Sequence, residues 1–147
     1  MEEKTVLFVC VENACRSLMA EAMFNRNPTR GWRAISAGTL PASAPNPRTE
    51  SMLREVELEL PSHPPQRLTD EMLSAAGAVV TMGCLDSASC PARLKVVEVR
   101  DWALPDPATL DEAGFRQLRR ELQTRVERLR RELALADKRR AAPPDGR

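Results

Sequence analysis

Two spacings of apolar residues alternate along the chain. Thr5-Val6-Leu7-Phe8-Val9, just before Cys10, is a short β-branched and aromatic run of the kind that forms a buried strand. Trp32 to Ser36 (ended by Gly38), Ala78 to Met82 and Lys95 to Val99 predict a second, third and fourth strand. Between the strands the spacing becomes helical. Ser17 to Phe24 places Met19, Ala20, Met23 and Phe24 on neighbouring faces. Pro47 opens a helix through Met52, Leu53 and Val56, and Thr69-Asp70-Glu71 starts another carrying Met72, Leu73, Ala75 and Ala76. From Asp111 to Asp137, Phe115, Leu118, Leu122, Val126, Leu129 and Leu133 recur every three or four positions as one stripe. Residues 40–48 and Pro61 to Pro65 read as loops, and no repeat is visible. The expected organisation is one domain over residues 1–137 and a flexible tail over 138–147.

Strands separated by helices pair in parallel through right-handed crossovers, so the fold class is α/β. Ligands in such folds bind beyond the carboxyl ends of the strands. Cys10, the segment after Met82 and the segment Asp101 to Asp106 all fall at that edge.

Composition narrows the function. Hydrophobic residues make up 42% and charged residues 29% of the 147, a globular balance that excludes global disorder. No apolar run reaches the roughly 18 residues of a membrane span, and Met1-Glu2-Glu3-Lys4 does not read as a secretion signal. The expectation is a cytoplasmic monomer with no membrane partner. Formal net charge is +1, but residues 111–147 hold 11 basic and 7 acidic side chains. The arginines there (Arg116, Arg119, Arg120, Arg125, Arg128, Arg130 and Arg131) raise nucleic-acid binding as a possibility. The spacing of Glu121 to Arg125, Glu127 to Arg131 and Arg128 to Glu132 instead predicts intrahelical pairs on a solvated face, so no nucleic-acid partner is expected.

Chemistry concentrates in Cys10-Val11-Glu12-Asn13-Ala14-Cys15-Arg16-Ser17, between the first strand and the first helix. A loop wrapped onto a helix N-terminus turns several backbone N–H groups toward one point, which suits a tetrahedral anion. Arg16 adds a planar fork matched to two oxygens. The same positive field favours the thiolate at Cys10, a nucleophile that Ser17 is placed to stabilise. Asn13 suits a left-handed backbone position, and Glu12 is expected at the rim, where it opposes large anionic substrates. The plain alternative is a structural Cys10 with a surface Arg16. Cys84 and Cys90 read as a redox pair, as inert loop thiols, or as half of a zinc site, for which His63 and Cys15 make a poor complement.

The run Phe8-Val9-Cys10 through Arg16-Ser17-Leu18-Met19-Ala20-Glu21-Ala22 resembles the signature of the low-molecular-weight protein tyrosine phosphatase superfamily, and its Cys-Arg-Ser-x-Met-Ala-Glu form is most like the arsenate reductase branch. Ser36-Ala37-Gly38 and Asp106-Pro107 match in the same order, to about Leu133. The resemblance implies a four-stranded parallel sheet flanked by helices. It also implies Cys10 as nucleophile, Arg16 as oxyanion binder with the loop Val11, Glu12, Asn13, Ala14, Cys15 and Ser17, and Asp106 as general acid. Phosphatases of this type usually carry tyrosines after the Asp-Pro. Here Ala108-Thr109 follows, and the chain has no tyrosine.

For the reductase branch the resemblance implies arsenate reduction to arsenite, with a disulfide passing from Cys10 to Cys84 and Cys90. Five residues separate the two resolving cysteines, with Gly83 inserted before the first, whereas six separate them in the thioredoxin-coupled pattern. The resemblance therefore implies, as reductant, a thioredoxin-like protein or a small thiol of the mycothiol and glutaredoxin type. Asn13, Glu21 and Ser36 coincide with positions that hold potassium in some reductases, or else brace the loop by hydrogen bonds. Arsenate, phosphate or sulfate would fill the pocket. The alternatives are a phosphomonoester phosphatase using Cys10, and an oxyanion or redox sensor without turnover.

Overall fold

The computed structural model describes residues 3–83 and 98–141. Strand β1 (Lys4–Cys10) is followed by α1 (Arg16–Arg26), β2 (Trp32–Gly38), α2 (Pro47–Arg54), α3 (Asp70–Ala75), β3 (Ala78–Thr81), β4 (Arg100–Asp101), a 3-10 turn at Pro107–Thr109 and α4 (Glu112–Ala141). The sheet runs β2-β1-β3-β4, every neighbouring pair parallel. β1 is central. Its register aligns Cys10 with Gly38 on one side and Val9 with Thr81 on the other.

Alternation along β1 explains how the sheet is covered. Val6, Phe8 and Cys10 face the larger core with α1, α2 and α4, whereas Leu7 and Val9 face Leu68, Leu73 and Val79 with α3. The six stripe residues of α4 are all buried. Each contributes roughly 1.5–3 kcal/mol by the ordinary gain of burying a large apolar side chain. Asn46 caps α2 through the N–H of Arg48, with Pro47 next in line, and Thr69 caps α3 through the N–H of Met72.

Several expectations need correction. Among the described residues the fourth strand is Arg100–Asp101, beyond the expected Lys95 to Val99. Residues 95–97 lie outside the described residues, and 98–99 precede the strand. Both β4 residues are exposed at the sheet edge, so no apolar run marks them. Strand β3 ends at Thr81, although the Met82 N–H still donates to the Val9 carbonyl at 3.1 Å. Helix α2 ends at Arg54, before Val56.

Helix α4 continues to Ala141 because its last turns are tied down. Asp137 accepts from Lys4 Nζ at 2.7 Å and from the Trp32 indole N–H at 2.8 Å. Of the three expected intrahelical pairs, Glu121–Arg125 forms at 3.1 Å. Glu127 instead meets Arg130, and Glu132 meets Arg100 from the sheet edge at 3.5 Å. Arg116 and Arg119 both pair with Glu55 at 2.7 Å. No helix among the described residues is long and apolar enough to cross a membrane.

Candidate active site

The loop 10–16 leaves the carboxyl end of the central strand and enters α1 at Arg16. Cys15 is the residue before the helix and supplies no side-chain cap. The first N–H groups of α1 are therefore left for an anion, the arrangement that makes helix starts anion sites. Asn13 takes the left-handed conformation with φ of 51°. Cys10, at 3% exposure, sits at the floor of a cavity of about 310 Å³, within which Arg16, Leu104, Asp106 and Ala108 form part of the wall.

Neighbouring segments hold the loop's shape. Thr39, Leu40, Ala42 and Asn46 donate backbone N–H groups to the carbonyls of Cys10, Val11, Glu12 and Ala14 in turn. Thr49 Oγ1 donates to Ala14 as well, at 3.0 Å. Gly38 runs against the loop's underside, where a Cβ would lie 2.5 Å from the Val11 carbonyl oxygen. Only glycine fits there.

Ser17 Oγ lies 2.9 Å from Cys10 Sγ. Asn13 Nδ2 donates to Ser17 Oγ at 2.7 Å and to Ser36 Oγ at 2.9 Å, and Ser36 donates to Glu21 Oε1 at 2.7 Å. Glu21 is only 6% exposed. Its carboxylate meets His63 Nε2 at 2.8 Å, while His63 Nδ1 lies 2.7 Å from the Pro64 carbonyl. Both ring nitrogens thus face oxygens that only accept, which requires the imidazolium. Burial alone would lower the His63 pKa, but the Glu21 and Pro64 contacts outweigh it and the net shift is upward. A continuous chain of polar contacts therefore joins His63 to the Cys10 thiol.

Sequence reasoning weighed His63, the chain's single histidine, only as a poor zinc ligand and missed its pairing with Glu21 from a proline-flanked loop. It also missed Gln66, whose backbone N–H donates to Asn13 Oδ1 at 3.0 Å. Asn13, Glu21 and Ser36 do come together, but as arranged they do not fit a potassium ion. The Asn13 oxygen is taken by Gln66, Ser36 donates to Glu21, and an imidazolium already offsets the single carboxylate. Their role in this arrangement is to brace the loop.

Arg16 Nη1 donates to the carbonyls of Met82 at 2.9 Å and Leu104 at 3.0 Å. The Nε–Nη2 edge makes no hydrogen bond among the described residues, leaving a bidentate face for an oxyanion. One guanidinium thus joins the anion loop to the ends of both flanking segments. Burial pushes the Cys15 thiol up to about 12, against lowering by its Thr49 hydrogen bond, further raising by Cys10 and lowering by Arg16 and Arg48. Cys15 is protonated at neutral pH, unsuited to attack.

Asp106 starts the 3-10 turn, its Oδ1 accepting from Ala108 N–H at 3.0 Å. Arg48 fixes that turn to α2 by donating to the Leu110 carbonyl at 2.9 Å, its guanidinium 4.5 Å from the Phe115 ring centroid. Trp102, in the segment after β4, is buried against Phe8 at 5.7 Å between centroids. No aromatic side chain lines the cavity among the described residues. Cys84 and Cys90 lie outside the described residues, and no group of three or more His, Cys, Asp or Glu suited to a metal occurs among those described.

An arsenate reductase of Staphylococcus aureus is 30% identical over 131 residues, 88% of this chain and 98% of that one. Among solved structures, a thioredoxin-dependent arsenate reductase of Corynebacterium glutamicum superposes with a TM-score of 0.74 at 30% identity, over 92% of this chain and 64% of that one. The arginine phosphatase YwlE of Geobacillus stearothermophilus superposes with a TM-score of 0.74 at 26% identity, over 92% and 96%. A family model for low molecular weight phosphotyrosine protein phosphatases matches residues 5–140. With its cysteine at the end of the central strand and its anion loop closed by Arg16, the chain belongs to the low molecular weight phosphotyrosine protein phosphatase family.

Proposed function

We propose that the protein is an arsenate reductase in which Cys10 is the nucleophile and Cys84 and Cys90 carry the oxidising equivalents away. The observation that carries this reading is the Arg16 hydrogen bond to the Met82 carbonyl, two residues before Cys84. The arginine that faces the oxyanion also anchors the start of the segment bearing the second thiol. Gly83, at φ of 106°, packs against Ala103, whose Cα lies 3.3 Å from where a Cβ would stand.

In the first step the Cys10 thiolate attacks arsenic, a sulfur–arsenic bond forms, and hydroxide leaves as water with a proton from Asp106. Cys84 thiolate then attacks the Cys10 sulfur. The electron pair of the sulfur–arsenic bond stays on arsenic, which leaves as arsenite, and a Cys10–Cys84 disulfide forms. Cys90 attacks Cys84, returning Cys10 as thiolate and leaving a Cys84–Cys90 disulfide. An external dithiol or small thiol reduces that bridge. Thioredoxin dependence of the Corynebacterium relative supports a thioredoxin-like donor.

Phosphate monoester hydrolysis is the second reading, favoured by the placement of Asp106 in the wall of the cavity that holds Cys10. Cysteine substitutions separate the two. Cys84→Ser and Cys90→Ser should each abolish steady arsenate turnover while sparing hydrolysis of p-nitrophenyl phosphate. Arsenate turnover surviving both substitutions would remove the relay.

A further inference from the structure

The cavity lining carries both signs of charge. Arg16 is the one cation among the described lining residues, and it stands beside the open start of α1. Two exposed carboxylate residues, Glu12 and Asp106, line the cavity as well. Asp106 has the acid role proposed above and a structural role through its Oδ1 cap, whereas Glu12 has neither. A carboxylate in an anion-binding loop opposes the ligand the loop attracts, so its presence needs a reason.

Glu12 is held in place. Its carbonyl accepts from Ala42 N–H at 2.9 Å, and the Cβ-free Gly38 backs directly onto its carbonyl carbon. The following Asn13 is locked in its left-handed conformation by bonds to Ser17, Ser36 and Gln66. These contacts fix the backbone from which the Glu12 side chain leaves the loop. Nearby arginines are committed elsewhere: Arg48 to the Leu110 carbonyl and the Phe115 ring, Arg67 to the Thr39 carbonyl.

We infer that Glu12 is a specificity-determining residue, a charge filter in the cavity lining. It admits a bare oxyanion, or a phosphoryl group borne on a neutral or cationic carrier, and it disfavours carriers with a second anionic group. This rests on the reading of the loop as an oxyanion site, and it deepens that reading by naming the substrate class. A unit charge about 8 Å from a second one, in a medium of dielectric constant about 40, changes affinity about 5-fold. Salt weakens the effect, since the screening length is about 8 Å at physiological ionic strength.

The test uses the full reduced chain and needs no turnover. Iodoacetamide alkylation of Cys10 is followed by peptide mass spectrometry, with inorganic phosphate, ethyl phosphate, phosphoglycolate and 2-aminoethyl phosphate as protectants. The three esters differ mainly in a neutral, anionic or cationic end. At low salt, phosphoglycolate should require about 5-fold more than ethyl phosphate for half protection, and aminoethyl phosphate less than either. Glu12→Gln should narrow the phosphoglycolate ratio to below about 2, Glu12→Lys should invert the order, and Glu12→Asp should retain it. A purely structural effect of Glu12 would move all three esters together. An unchanged ratio in Glu12→Gln, or equal protection by all three esters in the unmodified protein, overturns the inference while leaving the oxyanion reading intact. Failure of inorganic phosphate itself to protect Cys10 overturns both.

Discussion

Removing the His63 ring tests whether the chain of contacts from His63 to Cys10 is ionic. In His63→Ala the Glu21 carboxylate, 8% exposed as a side chain, loses its cationic partner at 2.8 Å. A hydrogen bond to a charged group is worth about 1.5–3 kcal/mol, and His63 is 25% exposed, so about 2 kcal/mol is expected at low pH. For a domain of this size that lowers the midpoint of thermal unfolding by about 4–8 °C. The pH dependence has a fixed sign. The folded His63 pKa is raised, so its contribution is complete below the unfolded value near 6.5 and fades as pH rises through the folded value. Above that, a neutral ring satisfies only one of its two accepting neighbours. Thermal unfolding of the natural protein and of His63→Ala, monitored by circular dichroism at pH 5.5 and pH 9, should show a gap that shrinks at least twofold at the higher pH. The same gap at both values would refute the imidazolium, and with it the account of why Glu21 tolerates burial.

Three further outcomes follow from the geometry. Gly38→Ala would push a methyl group against the Val11 carbonyl, costing about 1–3 kcal/mol in a urea titration and slowing Cys10 chemistry about 100-fold; near-normal turnover would contradict the loop's fixed position. Asp137→Ala leaves the Trp32 indole N–H and Lys4 without their acceptor, and a loss of about 1–2 kcal/mol is expected in thermal unfolding; no loss would mean the end of α4 is not latched. Cys15, its thiol pushed up to about 12, should resist alkylation at pH 8 under conditions that modify Cys10, and equal rates by mass spectrometry would refute its buried, protonated state.

Much of this architecture was legible because it rests on local signals. The stripe from Phe115 to Leu133 and the β-branched run before Cys10 each announce an element and the face it buries. What stayed hidden depends on partners distant in sequence. Glu132 pairs with Arg100 across the sheet edge, although Arg128 has the better helical spacing, because tertiary geometry competes with helical proximity. Strand β4 is two exposed residues whose register with β3 decides their state. His63 reaches Glu21 across 42 positions, and no periodicity marks a lone histidine on a proline-flanked loop. The anion loop was readable as a motif, but its support by Gly38, Thr49 and Gln66 emerges only once β2 lies beside β1.

The most direct test of the proposed reaction is a single turnover without reductant. Fully reduced protein is mixed with excess arsenate, arsenite is quantified, and disulfides are mapped by peptide mass spectrometry. The account expects about one arsenite per chain, with Cys84 and Cys90 bridged and Cys10 returned as a free thiol. Four surviving thiols and no arsenite would contradict it.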